Sequence, residues 1–373
     1  MGVKAKEITG WVEQLAPLFL AEQWDNSGWQ VGDPTKDVER VMVTLDVDED
    51  VINEAVQKES QLIISHHPLL MKGLKNLRLD DVPGRLLAKL IKNDLGSYAA
   101  HTNLDTARGG VNDVLAQKLG LRDVQVLYTT QREKYFKLVV FVPESHLETV
   151  MEALRREEAG WIGNYSDCTF QVKGTGTFRP GEGTNPYIGS RGTLECVEEV
   201  RLETILPVSI KDNVVKAMLQ AHPYEEVAYD LYSLALDGPA KGLGRVGNLD
   251  SAVPWEDFVE TVKGALGVTG VRYGYNGRET AVQRVAVCGG SGADLWPAAR
   301  AAGAQVLVTG DIKYHTAKDM LAGGISFIDA GHYGTEKIVV NFLADYLRRC
   351  SREMGQTVEV LESVKGCDPF QNA

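Results

Sequence analysis

Leu62-Ile63-Ile64-Ser65-His66-His67-Pro68 reads as a buried strand that stops at two adjacent histidines. Pro68 has no amide hydrogen to give to a neighbouring strand, so ladder pairing ends there. Side chains alternate along a strand, but just past its end the backbone can turn and bring both imidazoles to one spot. Imidazole is the commonest metal-ligating side chain. The carboxyl ends of strands are where open α/β sheets place their sites. On this stretch alone a structural or solvated histidine pair is the commoner outcome; the rest of the chain tips the balance toward ligands.

Outward from this stretch, strands alternate with helices. Val41–Leu45 reads as a strand and Val51–Lys58 as a helix. Pro83–Asp94 reads as a helix, Ser97–His101 as a strand, and Val111–Leu119 as a helix closed by Gly120. Ahead of them, Ile8–Leu20 has apolar residues at helical spacing, and Trp24-Asp25-Asn26-Ser27-Gly28 is a turn cluster. The alternation predicts a parallel α/β sheet.

The last third repeats the plan. Val41-Met42-Val43 aligns with Val285-Ala286-Val287 (285 − 41 = 244), and Ile64 with Val308 (308 − 64 = 244), without a gap. His66-His67 then falls on Gly310-Asp311. Chance likeness between strand–helix–strand units is the competing account, and the gap-free register weighs against it. We expect two related α/β halves, residues 1–122 and 238–373, forming one metal-binding domain. Between them lies an insert, residues 123–237. Its strands (Tyr135–Val142, Thr169–Phe178, Val197–Leu206, Val227–Leu234) and helices (Leu147–Arg156, Ile210–Ala221) follow the order of a ferredoxin-like α+β sandwich. Residues 180–192 are rich in Gly, Pro, Ser and Thr and read as a mobile loop.

Composition narrows the class. A chain of 373 residues predicts two or three domains. Hydrophobic content of 44% and charged content of 24% are those of a globular protein. A net charge of -12 argues against broad binding to nucleic acid or anionic membrane. Five scattered cysteines without a CxxC pair argue against a disulfide framework and a thiolate zinc site, and point to a reducing cytoplasm. We find no secretory leader and no apolar run long enough to span a bilayer.

Two further stretches carry chemistry. Ala99-Ala100-His101-Thr102-Asn103-Leu104-Asp105 is a strand running into a polar turn, where Asp105 is a ligand or an ordinary turn or cap residue. Asp329-Ala330-Gly331-His332-Tyr333-Gly334-Thr335-Glu336 puts His332 and Glu336 at i and i+4, on one face of a helix. An ordinary helix start would look similar. All three stretches fall at strand ends and can meet at one mouth. His66, His67, Asp105, His332 and Glu336 offer three imidazoles and two carboxylates, a set for borderline divalent ions (Zn, Fe, Mn, Co or Ni). Five ligands exceed one closed tetrahedral site and suit two metals ~3.5–4 Å apart. His101 and His315 are candidate proton shuttles or orienting partners, and structural roles are equally open. Asp311 either orients a ligand or makes a turn. Asp25 and Asn26 either line the mouth or shape their turn. Gly289-Gly290-Ser291-Gly292, between a strand and a helix, offers amides to an anion, without the full nucleotide-binding pattern.

These motifs resemble the GTP cyclohydrolase 1 type 2 homologues, also called the NGG-interacting-factor-three-like family. The matching stretches are His66-His67-Pro68, His101-Thr102-Asn103-Leu104-Asp105, Thr309-Gly310-Asp311-Ile312-Lys313-Tyr314-His315 and 329–336, with Trp24-Asp25-Asn26 and 289–292. The likeness is to the long bacterial form with a CutA- or PII-like insert, which His222-Pro223-Tyr224-Glu225-Glu226 fits. It implies a dinuclear metal centre in a homohexameric ring. It implies that His67 and Asp105 hold one metal, His66 and His332 the other, and that Glu336 bridges them. The activity it implies is metal-dependent hydrolysis of a nucleotide-like substrate. A non-enzymatic metal carrier, sensor or scaffold is the competing expectation.

Overall fold

The structure, a computed structural model, describes residues 2–278 and 280–371. The chain divides into two compact units, one made of Met1–Gln131 with Lys241–Ala373, the other of Arg132–Ala240. The fold is mixed α/β.

The first unit holds two sets of parallel strands. In one, Glu359–Glu362, Arg40–Thr44, Leu62–Ser65 and Gly96–Ala99 lie side by side in parallel, and Gly28–Val31 closes the edge antiparallel. In the other, Ala281–Val287, Val306–Thr309 and Ser326–Asp329 are parallel, flanked by antiparallel Arg272–Gly274 and by Arg245–Pro254. Leu62–Ser65, Val306–Thr309 and Ser326–Asp329 are buried along their whole length. That is why they read as nearly continuous apolar runs rather than alternating ones.

The same bonds recur at the shift found in the sequence. Gln61 Oε1 accepts from the Glu39 and Arg40 amides at 3.0 and 2.9 Å. Gln305 Oε1 accepts from the Gln283 and Arg284 amides at 2.7 and 2.9 Å, and 305 − 61 = 283 − 39 = 244. Val41 pairs with Leu62 as Val285 pairs with Val306. Each glutamine thus ties down the entry of one strand from the start of the next.

The C-terminal helix brings the distant parts of this unit together. Ile338–Glu353 buries Val339, Leu343, Ala344 and Leu347 in one cluster with Ile8, Trp11 and Val12 of the helix Ala5–Leu15, and with Val41, Val43, Leu62 and Ile64. Glu359–Glu362 then adds itself to the strand Arg40–Thr44. The short helix His332–Glu336 lies immediately before this helix, so its position is set by the docking.

In the second unit, strands from Arg122–Pro143, Thr169–Phe178, Glu195–Pro207 and Tyr229–Pro254 form an antiparallel arrangement. Helices Leu147–Arg156 and Lys211–Ala221 cover one face, burying Val150, Leu154, Val214 and Met218 against Leu138, Val140, Val142, Leu202 and Leu206. This unit begins at Arg132 and ends at Ala240, not at Asp123 and Asp237. The strands Arg122–Pro143 and Tyr229–Pro254 run through both boundaries, so no turn marks them. The helix expected over Ile8–Leu20 stops at Leu15, because Pro17 cannot continue it, and Leu18–Leu20 forms a separate 3-10 turn. Among the described residues no helix is long and apolar enough to cross a membrane.

Candidate metal centre

The two histidines stay tied to the sheet after their strand ends. The His66 amide donates to Thr44 O at 3.1 Å and the His67 amide to Leu45 O at 2.9 Å. The Ser65 hydroxyl donates to His67 O at 2.7 Å, which tightens the turn. His66 is fully buried. Its Nδ1 lies 2.8 Å from Ala100 O. A carbonyl only accepts, so Nδ1 carries the hydrogen and Nε2 is left as a lone-pair donor.

The other imidazoles use the same device with carboxylates. His67 Nδ1 is 2.7 Å from Asp46 Oδ1, His101 Nδ1 is 2.8 Å from Asp25 Oδ1, and His332 Nδ1 is 2.6 Å from Asp311 Oδ2. An acceptor on Nδ1 fixes the ring and raises the basicity of Nε2, the arrangement found behind metal-ligating histidines. Asp25 is itself held by the Ser27 hydroxyl and by the Thr102 amide and hydroxyl. Burial opposes ionisation of Asp25, but the bond to His101 and these hydroxyls outweigh it and hold its carboxyl below the usual range.

Glu336 stands at the centre, almost fully buried. Its Oε2 is 2.9 Å from His67 Nε2 and 3.1 Å from His332 Nε2. Its Oε1 is 3.7 Å from His66 Nε2, which is also 3.7 Å from Asp105 Oδ1. Those last two separations are too long for hydrogen bonds. His66 Nε2 and Asp105 Oδ1 are accordingly buried without a partner. Native interiors rarely tolerate such atoms, and a pair of them facing one gap calls for a group between them. A divalent cation satisfies a lone-pair nitrogen and two carboxylate oxygens together, so the residues fit a metal.

Three sets of potential ligand atoms lie within 4.8 Å of one another: His66 with Asp105 and Glu336, His67 with His332 and Glu336, and His66 with His67 and His101. His66 goes with Asp105 on one oxygen of Glu336, and His67 with His332 on the other.

Charge in the cluster is balanced internally. Burial opposes protonation of His67, but Asp46 and Glu336 outweigh it and raise its pKa to about 10. Glu336 and Asp311 raise His332 to about 9 against burial. His66 is also raised, because Asp105 and Glu336 overcome its desolvation. Burial lifts Asp105 to about 6. Burial opposes ionisation of Glu336 too, but three imidazoles hold it well below the ordinary glutamate value.

Other expectations divide. His101 joins the cluster, its ring 5.3 Å from that of His66 and 5.5 Å from that of His67. His315 does not: it is exposed on the helix Tyr314–Gly323, edge-on to Tyr314. Its strand-end position in sequence is followed by a helix that carries it away from the mouth. The 289–292 turn is not an anion cradle. The amides of Gly289, Gly290 and Gly292 donate to Asn112 Oδ1, Thr335 Oγ1 and Thr309 Oγ1 at 3.0, 2.9 and 3.0 Å. Its role is to make room, since a Cβ on Gly290 would sit 2.2 Å from Glu336 Oε1. Asp311, at φ +55, orients His332, and Asn26 donates to Leu70 O. Asp46 was not foreseen. Its signal was available: it is a carboxylate just beyond Val41–Leu45, at the same strand-end mouth.

The comparisons with known proteins give the family. The family model described as Duf34/NIF3 (NGG1p interacting factor 3) matches residues 3–369. A Halalkalibacterium halodurans protein named GTP cyclohydrolase 1 type 2 homolog is 46% identical over 96% of this chain and 96% of its own. A Bacillus subtilis protein of the same name is 43% identical over 99% of this chain and 98% of its own. The crystal structure of a Bacillus cereus protein related to NIF3 is similar at a TM-score of 0.92 and 43% identity, covering 100% of both chains. With the family model and these relatives matching over nearly its whole length, this chain belongs to the Duf34/NIF3 family.

Proposed function

We propose that this chain holds two divalent metal ions and uses them to hydrolyse a nucleotide-like substrate, working as a cytoplasmic homohexameric ring. The observation that carries the reading is Glu336, one oxygen facing His67 and His332 and the other 3.7 Å from His66 Nε2, which is itself 3.7 Å from Asp105. His66, Asp105 and Glu336 would hold one ion, and His67, His332 and Glu336 the second. Bound divalent ions supply Lewis acidity, which brings a water's pKa near neutrality and polarises the bond attacked.

The chain's own residues do the rest. Asp46, Asp311 and Ala100 O keep three imidazoles aimed inward. Asp25 fixes His101 through Nδ1, leaving Nε2 to take up or return a proton beside the cluster. His332 is about a third exposed, so the mouth opens to substrate on its side. By the name its relatives carry, the bond broken is in the imidazole ring of a purine nucleotide such as GTP, opened at C8. The same reading takes the two strand sets as a duplicated unit, supported by the Gln61 and Gln305 bonds. It takes the insert as a ferredoxin-like, CutA- or PII-like module, supported by its strand–helix–strand order repeated twice.

The test is turnover. Protein loaded with each candidate metal is incubated with GTP and a panel of phosphoesters, with and without chelator. Chelator-sensitive turnover that Glu336→Gln abolishes is expected. Two firmly bound metals with no turnover would assign the chain to metal carriage instead.

A further inference from the structure

The second unit has an open cleft that the metal centre does not use. Its volume is about 410 Å³, and every residue lining it lies between Arg132 and Ala240. Small-ligand sites span ~300–1,000 Å³. Aromatic rings form its apolar wall: Phe178 and Tyr187 lie 6.0 and 6.2 Å from Tyr224, and Phe141 lines the floor.

One carboxylate is placed at this wall with care. Tyr224 Oη donates to Glu199 Oε1 at 3.0 Å. A Cβ on Gly176 would lie 2.1 Å from Glu199 Oε2, so the carboxylate lies close against the backbone of the strand Thr169–Phe178. The roof is the loop 180–192, which is bonded into shape. Gly192 N donates to Pro180 O at 2.8 Å, Arg179 to Gly192 O at 2.8 Å, and Arg191 to Thr184 O at 2.7 Å. Glu225 Oε1 accepts from Asn185 N at 2.9 Å and pins the roof to the wall. Compact loops whose ends meet are frequently functional.

The chemistry of the lining selects a charge. Glu199, Glu225 and Glu226 line the space, and Arg179 is the one cationic side chain among its lining residues. Aromatic faces add negative potential and attract cations. A phosphorylated or carboxylated ligand would meet three carboxylates. We propose that this cleft is a second ligand site, for a small organic cation with an aromatic or other apolar body. The cationic head pairs with Glu199 and the body lies against Tyr187, Phe178 and Tyr224.

The probe is 4-fluorophenethylammonium, titrated with the full-length protein and followed by fluorine NMR, beside the anion 4-fluorophenylacetate. We expect saturable binding of the cation and at least about tenfold weaker binding of the anion. Glu199→Gln keeps the shape and removes the charge; it should weaken cation binding at least about tenfold with an unchanged melting curve. His66→Ala should leave cation binding as it was, which separates this site from the metal centre. Anion binding equal to cation binding, unchanged affinity in Glu199→Gln, loss in His66→Ala, or no saturation up to millimolar probe would each overturn the proposal.

Discussion

Replacing Glu336 by glutamine tests the whole arrangement with one atom. The side chain keeps its size, so packing against Gly289 and Gly290 is preserved. What changes is charge and donor character. Oε2 now accepts from two imidazoles at 2.9 and 3.1 Å, and charge-assisted bonds of this kind are worth ~1.5–3 kcal/mol each. Metal-free protein should therefore lose about 2 kcal/mol and melt a few degrees lower, while remaining folded. For the metals the loss is larger. Altering a group that merely orients a ligand costs about 10–100-fold in affinity, so removing a shared anionic ligand should cost more than about a hundredfold at each position. The assay is metal stoichiometry by elemental analysis after dialysis, run beside a melting curve, with His66→Ala in parallel. His66→Ala should lose one ion and keep the other. Two metals retained by Glu336→Gln at near-native affinity would refute the bridging role and the electrostatic reasoning behind it.

The pairing of ligands gives a second outcome: His66→Ala with Asp105→Ala, and separately His67→Ala with His332→Ala, should each leave about one ion per chain, read by elemental analysis with each metal in turn. Asp46→Asn should weaken metal binding about 10–100-fold by loosening the His67 ring, measured by competition with a chromogenic chelator. Leu343→Ala, at a fully packed position of the C-terminal helix, should cost ~2–5 kcal/mol in denaturant unfolding and reduce metal occupancy with it. Joining Gln131 to Lys241 through a short Gly/Ser linker should leave a metal-binding protein of lower oligomeric order, read by light scattering; an aggregate without metal would contradict the division into units.

What was legible in the sequence follows from what the residues had to do. Leu62–Ser65 and Val306–Thr309 are covered on both faces, so their apolar runs announce them. His66, His67, His332 and Glu336 announce themselves by residue type at strand ends. The long strand Arg122–Pro143 was only half visible, because its first part is largely exposed and carries Arg132, Glu133 and Lys134 in mid-strand. Asp46 and Asp311 act on rings that lie 21 residues away in sequence, a relation that no local pattern encodes.

The docking of the C-terminal helix has a consequence for how the protein is made. His67 and Glu336 are 269 residues apart, and both must be present before the cluster closes. A ribosome delivers the first histidines long before the last carboxylate, and domains generally fold from the N-terminus as they emerge. Until Ile338–Glu353 and Glu359–Glu362 arrive, the nascent chain has an uncovered apolar face over Val41, Val43 and Leu62, and an unpaired strand edge along Arg40–Thr44. Closure of the cluster is thus a late event of biosynthesis, and a chain ending before Glu336 would lack the carboxylate that His67 and His332 face.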